Sequence, residues 1–506
     1  MTEGGAAPRF NLAAHVLTHA EAPGNKPALE IISDQGADVW SYARLRDAVL
    51  GAASGFGALG LMPGDAVLLR LGNTPAFPVA FLGAIAAGLV AVPTSPFWTG
   101  AELARAAALV VPHLIVADDL PIGWPAGAAL PRLGADDVLG MARLAPATFH
   151  LGPAERLAYV LFTSGSSSGA PLAVAHAHRA ILARAMMHAG WQGLGPDDRL
   201  LHAGALNWSY TLGVGLMDPW ICGATALVLG PGAMAGGTEM LAEATARHQP
   251  SILASVPAIF RRLLRADLPP MPRLRHGLSA GEALPASLRR AWMDRTGTDL
   301  HEALGMTEVS TYLSGSPFRP APMGTLGFAQ PGRRLGLVDE GGQPVAPGQA
   351  GQIAVGVEDP GLMLGYLGAP ELTSARRMNG WFLTGDWARQ GPDGAFVGLG
   401  RRDDLLNAGG LRASPIEIEE ALAGFPGLRE CAVTEVAVRP GTMVIGAVLV
   451  GDAPLDETAL SAHCRARLAS SKIPRIYAQV PALPRGANGK ILRSALAGLF
   501  GERAPA

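Results

Sequence analysis

An α/β fold is predicted: a large N-terminal domain of helix-covered sheets with a β-rich subdomain, then a small α+β C-terminal domain. Three observations carry it. Apolar strand-length runs alternate with helix-length segments through most of the chain, the pattern of parallel sheets covered by helices. From Gly332 the pattern changes to short strand-like runs between Gly/Pro turns. After the charged cluster Arg401-Arg402-Asp403-Asp404 a compact unit of about 100 residues begins, the size of a small domain.

Residues 28–50 and 66–93 read as strands alternating with helices. So do 156–162 with a helix near 177–190, and 224–229 with a helix near 238–247. Ser251–Val256 and Leu274–Ser279 are further short strands, each followed by a helix. Leu335–Val338, Gln352–Val357 and Phe396-Val397 suggest a more antiparallel subdomain. Ser414-Pro415 opens a helix through Ala423, with Glu417, Glu419 and Glu420 suiting its N-terminal dipole. Strands near 431–438 and 443–450, a helix near 456–469 and a strand near 476–480 complete the unit. The expected domains are 1–402 and 403–506.

A chain of 506 residues is too long for one core, and 49% apolar content supplies a large interior. The 65 glycines and 41 prolines follow no repeat, which fits tight loops in an α/β enzyme. The formal charge is 40 − 42 = −2 with no basic tract, so nucleic acid is not an expected partner. Cys222, Cys431 and Cys464 lack metal-ligand spacing and suggest packing in a reducing compartment. With no signal-peptide pattern in Met1-Thr2-Glu3-Gly4-Gly5, a cytoplasmic location is expected. No charged residue lies between Arg70 and Glu102, but Pro78, Gly83, Gly88 and Pro93 break the run. It reads as a buried helix and the strand Val90–Pro93, with no membrane span.

Five segments carry chemistry. In Tyr159-Val160-Leu161-Phe162-Thr163-Ser164-Gly165-Ser166-Ser167-Ser168-Gly169-Ala170-Pro171 an apolar strand runs into hydroxyls and glycines, which suits phosphate but lacks the Walker Gly-Lys-Ser/Thr ending. Ser279-Ala280-Gly281-Glu282-Ala283-Leu284-Pro285 and Leu304-Gly305-Met306-Thr307-Glu308 each leave a strand end, where ligands bind in open α/β sheets. Thr307 offers a hydroxyl to phosphate and Glu308 a carboxylate to Mg²⁺. In Gly380-Trp381-Phe382-Leu383-Thr384-Gly385-Asp386, the carboxylate of Asp386 can bind ribose hydroxyls or cap a turn. Arg401 can reach ribose or phosphate, and Asp403 can act as a hinge. Lys490, in Pro484-Arg485-Gly486-Ala487-Asn488-Gly489-Lys490-Ile491-Leu492-Arg493, is a cation on a Gly-rich loop.

Together, in this order and spacing, these segments resemble the adenylate-forming superfamily of acyl-CoA synthetases, carrier-protein adenylation domains and luciferases over nearly the whole chain. The resemblance implies a mobile C-terminal domain and a two-step reaction of ATP, Mg²⁺, a small carboxylic acid and a thiol. An acyl-adenylate forms first; the thiol, CoA or a carrier protein, then displaces AMP. Lys490 becomes the adenylation lysine, and Thr163, Ser164, Gly165, Ser166 and Ser167 hold the leaving phosphates. Gly281, Glu282 and Ala283 flank adenine, Thr307 meets the α-phosphate, Glu308 the Mg²⁺, and Asp386 with Arg401 the ribose. Asp403 is the hinge, Gly409 and Gly410 border the pantetheine channel, and Lys472 and Arg475 meet CoA phosphates. A homodimer is compatible with this reading.

Two departures stand out. The phosphate loop carries an extra residue among its serines, and Leu172-Ala173 replaces the usual Lys-Gly. A missing charge-assisted contact removes about 2–3 kcal/mol of phosphate binding. Leu304 stands where the superfamily often stacks Tyr on adenine.

The segment His202-Ala203-Gly204-Ala205-Leu206-Asn207-Trp208-Ser209-Tyr210-Thr211-Leu212-Gly213, with 279–285 and 414–417, looks most like the benzoate- and aminobenzoate-CoA ligases. Trp208 and Tyr210 offer an aromatic wall for a planar acid, Gly305 joins the acyl pocket, and His202 is structural. The leading expectation is an aryl-CoA ligase. The alternatives are a free-standing enzyme loading a carrier protein, and a nucleotide- or acyl-binding homologue that has lost ligase activity.

Overall fold

The computed structural model describes residues 9–21, 25–121, 124, 130–163, 172–266, 268–401, 406–408, 411–439, 442–486 and 491–501. Two large sheets form the body of the N-terminal region. In the nine-stranded sheet, six central strands run parallel in the order Asp299–Met306, His276–Ala280, Ile252–Ser255, Arg199–His202, Thr225–Leu229, Pro27–Ser33. Antiparallel strands close its edges, Gly36–Ser41 at one side and Ser310–Ser314 then Phe328–Ala329 at the other. The seven-stranded sheet centres on Leu157–Phe162, Val90–Pro93, Ala66–Arg70 and Leu114–Ala117, also parallel.

The apolar run after Arg70 is helix Ala76–Ala86, buried along its whole length, followed by strand Val90–Pro93. Phe77 and Phe81 stack at 6.3 Å inside a cluster that also takes Leu69, Ala91 and Val228, so this helix joins the two sheets. Among the described residues no helix is long and apolar enough to cross a membrane.

One sequence expectation needs correction. Between strand Leu157–Phe162 and the expected helix near 177–190 lies an antiparallel strand, Ala173–Ala177, that the sequence reading did not place. The chain then runs as a 3-10 helix His178–Arg184, one α turn and a π helix His188–Gln192. The helix is thus present, but as 3-10 and π turns in place of a regular α-helix.

Beyond Gly332, strands Leu335–Val338, Ala350–Gly356, Trp381–Gln390 and Phe396–Arg401 pair antiparallel, as expected. The C-terminal unit has its own core. Strands Leu428–Arg439 and Thr442–Gly451 pair antiparallel, and Ile476–Gln479 joins in parallel. Helix Pro415–Ala423 opens with Pro at its first turn and Ser414 Oγ accepting from Glu417 N, as its sequence implied. Ile418 and Leu422 from this helix, Leu460 from Glu457–Arg465, and Val433, Ile445 and Leu449 from the strands pack into one apolar cluster.

Candidate active site

Parallel strands His276–Ala280 and Asp299–Met306 lie side by side, so their C-terminal loops emerge together. Gly281 leaves the first with φ of 94°, a left-handed conformation that glycine adopts without strain. Its loop is held from behind: Leu284 N donates to Glu302 Oε1 at 3.0 Å. Burial pushes the Glu302 carboxyl up to about 8, against the opposing pull of that N–H.

At the neighbouring strand end, Gly305 faces the returning strand so closely that a Cβ would sit 2.6 Å from Ser310 O. Glycine is therefore required there by backbone approach. His176 Nε2 lies 2.9 Å from Thr307 O. Glu308 is buried, and one carboxylate oxygen accepts from Tyr366 OH at 2.6 Å. No group of three His, Cys, Asp or Glu fit for a metal exists among the described residues. Mg²⁺ is commonly held by one or two carboxylates plus substrate phosphates, so Glu308, with a second oxygen outside the Tyr366 bond, fits that ion.

Asp386 and Arg401 are cross-strand partners in the β-rich subdomain. Arg401 Nε lies 3.6 Å from Asp386 Oδ1, and Tyr312 OH donates to Asp386 Oδ2 at 2.9 Å. The two residues assigned to ribose are thus brought together.

Trp208, Tyr210 and Gly305 line one cavity of about 100 Å³, together with Gly281 and Thr307. An engineered cavity of about 150 Å³ takes benzene, so this space is on the scale of a single ring. The Trp208 ring meets Tyr210 edge-on at 5.2 Å, and Tyr210 OH donates to Leu278 O at 3.0 Å. Tyr210 is therefore a fixed wall. His202 is buried, and burial pushes its pKa down to about 3, so it stays neutral and structural as expected.

Ser164, Gly165, Ser166, Ser167, Asp403, Gly409, Gly410 and Lys490 lie outside the described residues. Thr163 N donates to Leu172 O at 3.0 Å, joining the chain on either side of the segment expected to hold phosphate. Leu172 packs against the cluster of Val174, Val309 and Tyr366. Leu172→Lys is expected to lower the KM for ATP, because it returns a cation to the loop base. The lost apolar contact costs about 1 kcal/mol of stability. ATP titration with a thermal melt checks both; an unchanged or higher KM means the loop follows another course.

Sequence reasoning missed how the C-terminal unit meets this site. Arg485 Nη1 and Ile491 N both donate to Glu282 Oε1, at 3.1 and 3.2 Å. Arg485 also donates to Glu430 at 2.9 Å, and Arg261 lies 3.3 Å from the other Glu430 oxygen. The chain on both sides of the Lys490 loop is thereby tied to Glu282. Lys472 bonds both oxygens of Glu417 at 2.6 and 2.7 Å, so its charge is matched within its own domain. Arg475 is the exposed cation of the two.

Paired glycine-bearing strand ends, an aromatic-walled cavity beside them and a small C-terminal unit bonded to Glu282 through Arg485 and Ile491 define a class of two-domain activating enzyme. The family models agree: AMP-binding enzyme matches residues 16–367 and AMP-binding enzyme C-terminal domain matches 417–490. The chain belongs to the AMP-binding enzymes of the adenylate-forming superfamily. It is 31% identical to a benzoate–CoA ligase of Thauera aromatica, over 96% of this chain and 95% of that one. It is 30% identical to a 3-hydroxybenzoate–CoA ligase of an Aromatoleum strain, over 92% and 93%. Among solved structures, a benzoate CoA ligase from Burkholderia xenovorans matches with a TM-score of 0.86 at 27% identity, over 96% of this chain and all of that one. ATP-bound MatB from Rhodopseudomonas palustris matches at 0.88 and 27%, over 98% and 100%.

Proposed function

We propose that the protein is an AMP-forming aryl-CoA ligase that activates an aromatic carboxylic acid with ATP and Mg²⁺ and passes the acyl group to CoA. One observation carries the reading: a single-ring cavity walled by Trp208 and Tyr210 shares its lining with Gly281 and Thr307, at the strand ends assigned to the nucleotide. The activities named for the relatives, ligation of benzoate and 3-hydroxybenzoate to CoA, support it.

In the first half-reaction a carboxylate oxygen attacks the α-phosphorus, and the P–O bond to pyrophosphate breaks. Lys490 stabilises the charge that develops there. Thr163 with Ser164, Gly165, Ser166 and Ser167 holds the leaving phosphates, and Thr307 orients the α-phosphate. Gly281 and Ala283 flank adenine through the backbone. The Glu282 carboxylate instead ties down the incoming domain. Asp386 and Arg401 hold the ribose. Glu308 would hold Mg²⁺, which would supply positive charge against the phosphates. In the second half-reaction the CoA sulfur attacks the acyl carbon, and the C–O bond to AMP breaks. We place the domain boundary at 402/403, with rotation at Asp403 bringing Gly409 and Gly410 to the pantetheine and Arg475 to the CoA phosphates. The unpaired thiols of Cys222, Cys431 and Cys464 fit work in the cytoplasm.

An acid panel assayed for AMP with and without CoA tests this. AMP turnover with aromatic acids that depends on CoA is expected. Turnover that requires a carrier protein instead redirects the thiol assignment. No acid-dependent AMP or pyrophosphate from any acid means a binding protein without ligase activity.

A further inference from the structure

The roles above leave unused a buried ion pair on the cavity wall. Arg184, 7% exposed, ends the 3-10 helix His178–Arg184. Its Nε donates to one oxygen of Asp218, and its Nη2 donates to the other at 2.6 Å. Gln192 donates to the same carboxylate at 2.5 Å, and His188 Nε2 lies 3.6 Å from it. The surrounding chain is shaped for this pair. Gln192 ends one π helix, and Gly213 lies in a second, Thr211–Met217. A Cβ at Gly213 would fall on the Arg184 guanidinium, so only glycine leaves it room. π turns of this kind often mark functional positions. Stability is a poor account of the pair, since desolvating two charges often cancels their attraction.

Arg184 and Ser310 line the cavity with Trp208 and Tyr210. Of the five N–H groups of a guanidinium, Asp218 takes the Nε one and one on Nη2, and Ser310 Oγ takes one on Nη1 at 3.2 Å. The second N–H on each Nη has no bond among the described residues. The same cavity is lined by His176, whose ring stacks on Tyr159 at 4.8 Å. Its Nε2 faces a carbonyl, Thr307 O, and must carry the proton. Burial pushes its pKa down to about 4, so the ring is neutral and Nδ1 is a bare acceptor. That nitrogen is buried without a partner.

Resting on the aryl-CoA ligase reading, we propose that the cavity selects an aromatic acid bearing a ring hydroxyl, with Arg184 and Ser310 as specificity-determining residues. A hydroxyl both accepts and donates, so it answers the Arg184 N–H groups and the His176 nitrogen. An unsubstituted ring leaves these buried groups unpaired, which is costly. A second carboxylate is disfavoured because Asp218 already matches the Arg184 charge, leaving the new anion uncompensated. Sites that hydrogen-bond a substrate OH discriminate strongly against analogues lacking it.

The test compares wild-type kcat/KM for AMP formation with benzoate, the three monohydroxybenzoates, the aminobenzoates and the benzene dicarboxylates. At least one hydroxybenzoate is expected to exceed benzoate by about tenfold or more, and to exceed every dicarboxylate and aminobenzoate. That comparison needs no variant to fold. The hydroxybenzoate-to-benzoate ratio is then read in Ser310→Ala and in the paired Arg184→Met/Asp218→Leu variant, where it should fall several-fold, mainly through KM. Benzoate equal to or better than every hydroxybenzoate overturns this inference and leaves the ligase reading standing. A leading dicarboxylate or aminobenzoate overturns it too. A ratio that survives in both variants overturns the assignment to Arg184 and Ser310. Failure of every aromatic acid overturns the aryl reading itself, and this inference with it.

Discussion

Lys490→Ala is expected to abolish acyl-adenylate formation while thioester formation from supplied acyl-adenylate and CoA stays largely intact. The asymmetry follows from where charge develops. Nucleotidyl transfer loads negative charge onto the α-phosphate oxygens as pyrophosphate leaves. A single preorganised donor at such a point is worth about 10²–10³ in rate, or about 2.7–4 kcal/mol. Attack of sulfur on the acyl carbon comes after the proposed rotation has carried the Lys490 loop away. Pyrophosphate release measures the first step and thioester yield from synthetic adenylate the second. Equal loss in both contradicts the role given to Lys490.

Glu282→Ala is expected to slow adenylation about tenfold to a hundredfold and to leave the thioester step little changed. The Glu282 carboxylate holds Arg485 and Ile491 N at once, and its ion pair with Arg485 is less than a fifth exposed on either side. Truncating one partner of a buried hydrogen-bonded charge pair costs about 2–5 kcal/mol; partial exposure brings the expectation to the lower end. A double-mutant cycle with Arg485→Ala isolates the pair and should show coupling of about 1 kcal/mol or more in the adenylation rate alone. If both half-reactions fall together, or the cycle shows no coupling, Glu282 only shapes the adenine loop.

The legible part of the fold was the part built from long apolar runs. The buried helix Ala76–Ala86 and the parallel strand ends at Ala280 and Met306 were readable because strand and helix periods differ and glycines punctuate them. Asp386 and Arg401 were placed separately in sequence and meet as cross-strand partners. What escaped was pairing at a distance. The Glu282–Arg485 contact joins residues of two domains, and no local pattern announces it. The five-residue strand Ala173–Ala177, just before the helical segment, was too short to stand out. The Arg184–Asp218 pair did leave a signal. Arg184 is a lone charge in Ile181-Leu182-Ala183-Arg184-Ala185-Met186-Met187, and Asp218 a lone carboxylate in Gly215-Leu216-Met217-Asp218-Pro219-Trp220. Two opposite charges stranded in apolar segments are candidates to find one another in a core.

The most direct test of the ligase account is exchange of labelled pyrophosphate into ATP without CoA, because only a reversible acyl-adenylate step supports it. The account expects exchange that requires an aromatic carboxylate and Mg²⁺ and stops when the acid is left out. Exchange independent of acid, or ATP binding with no exchange under any aromatic acid, would contradict it.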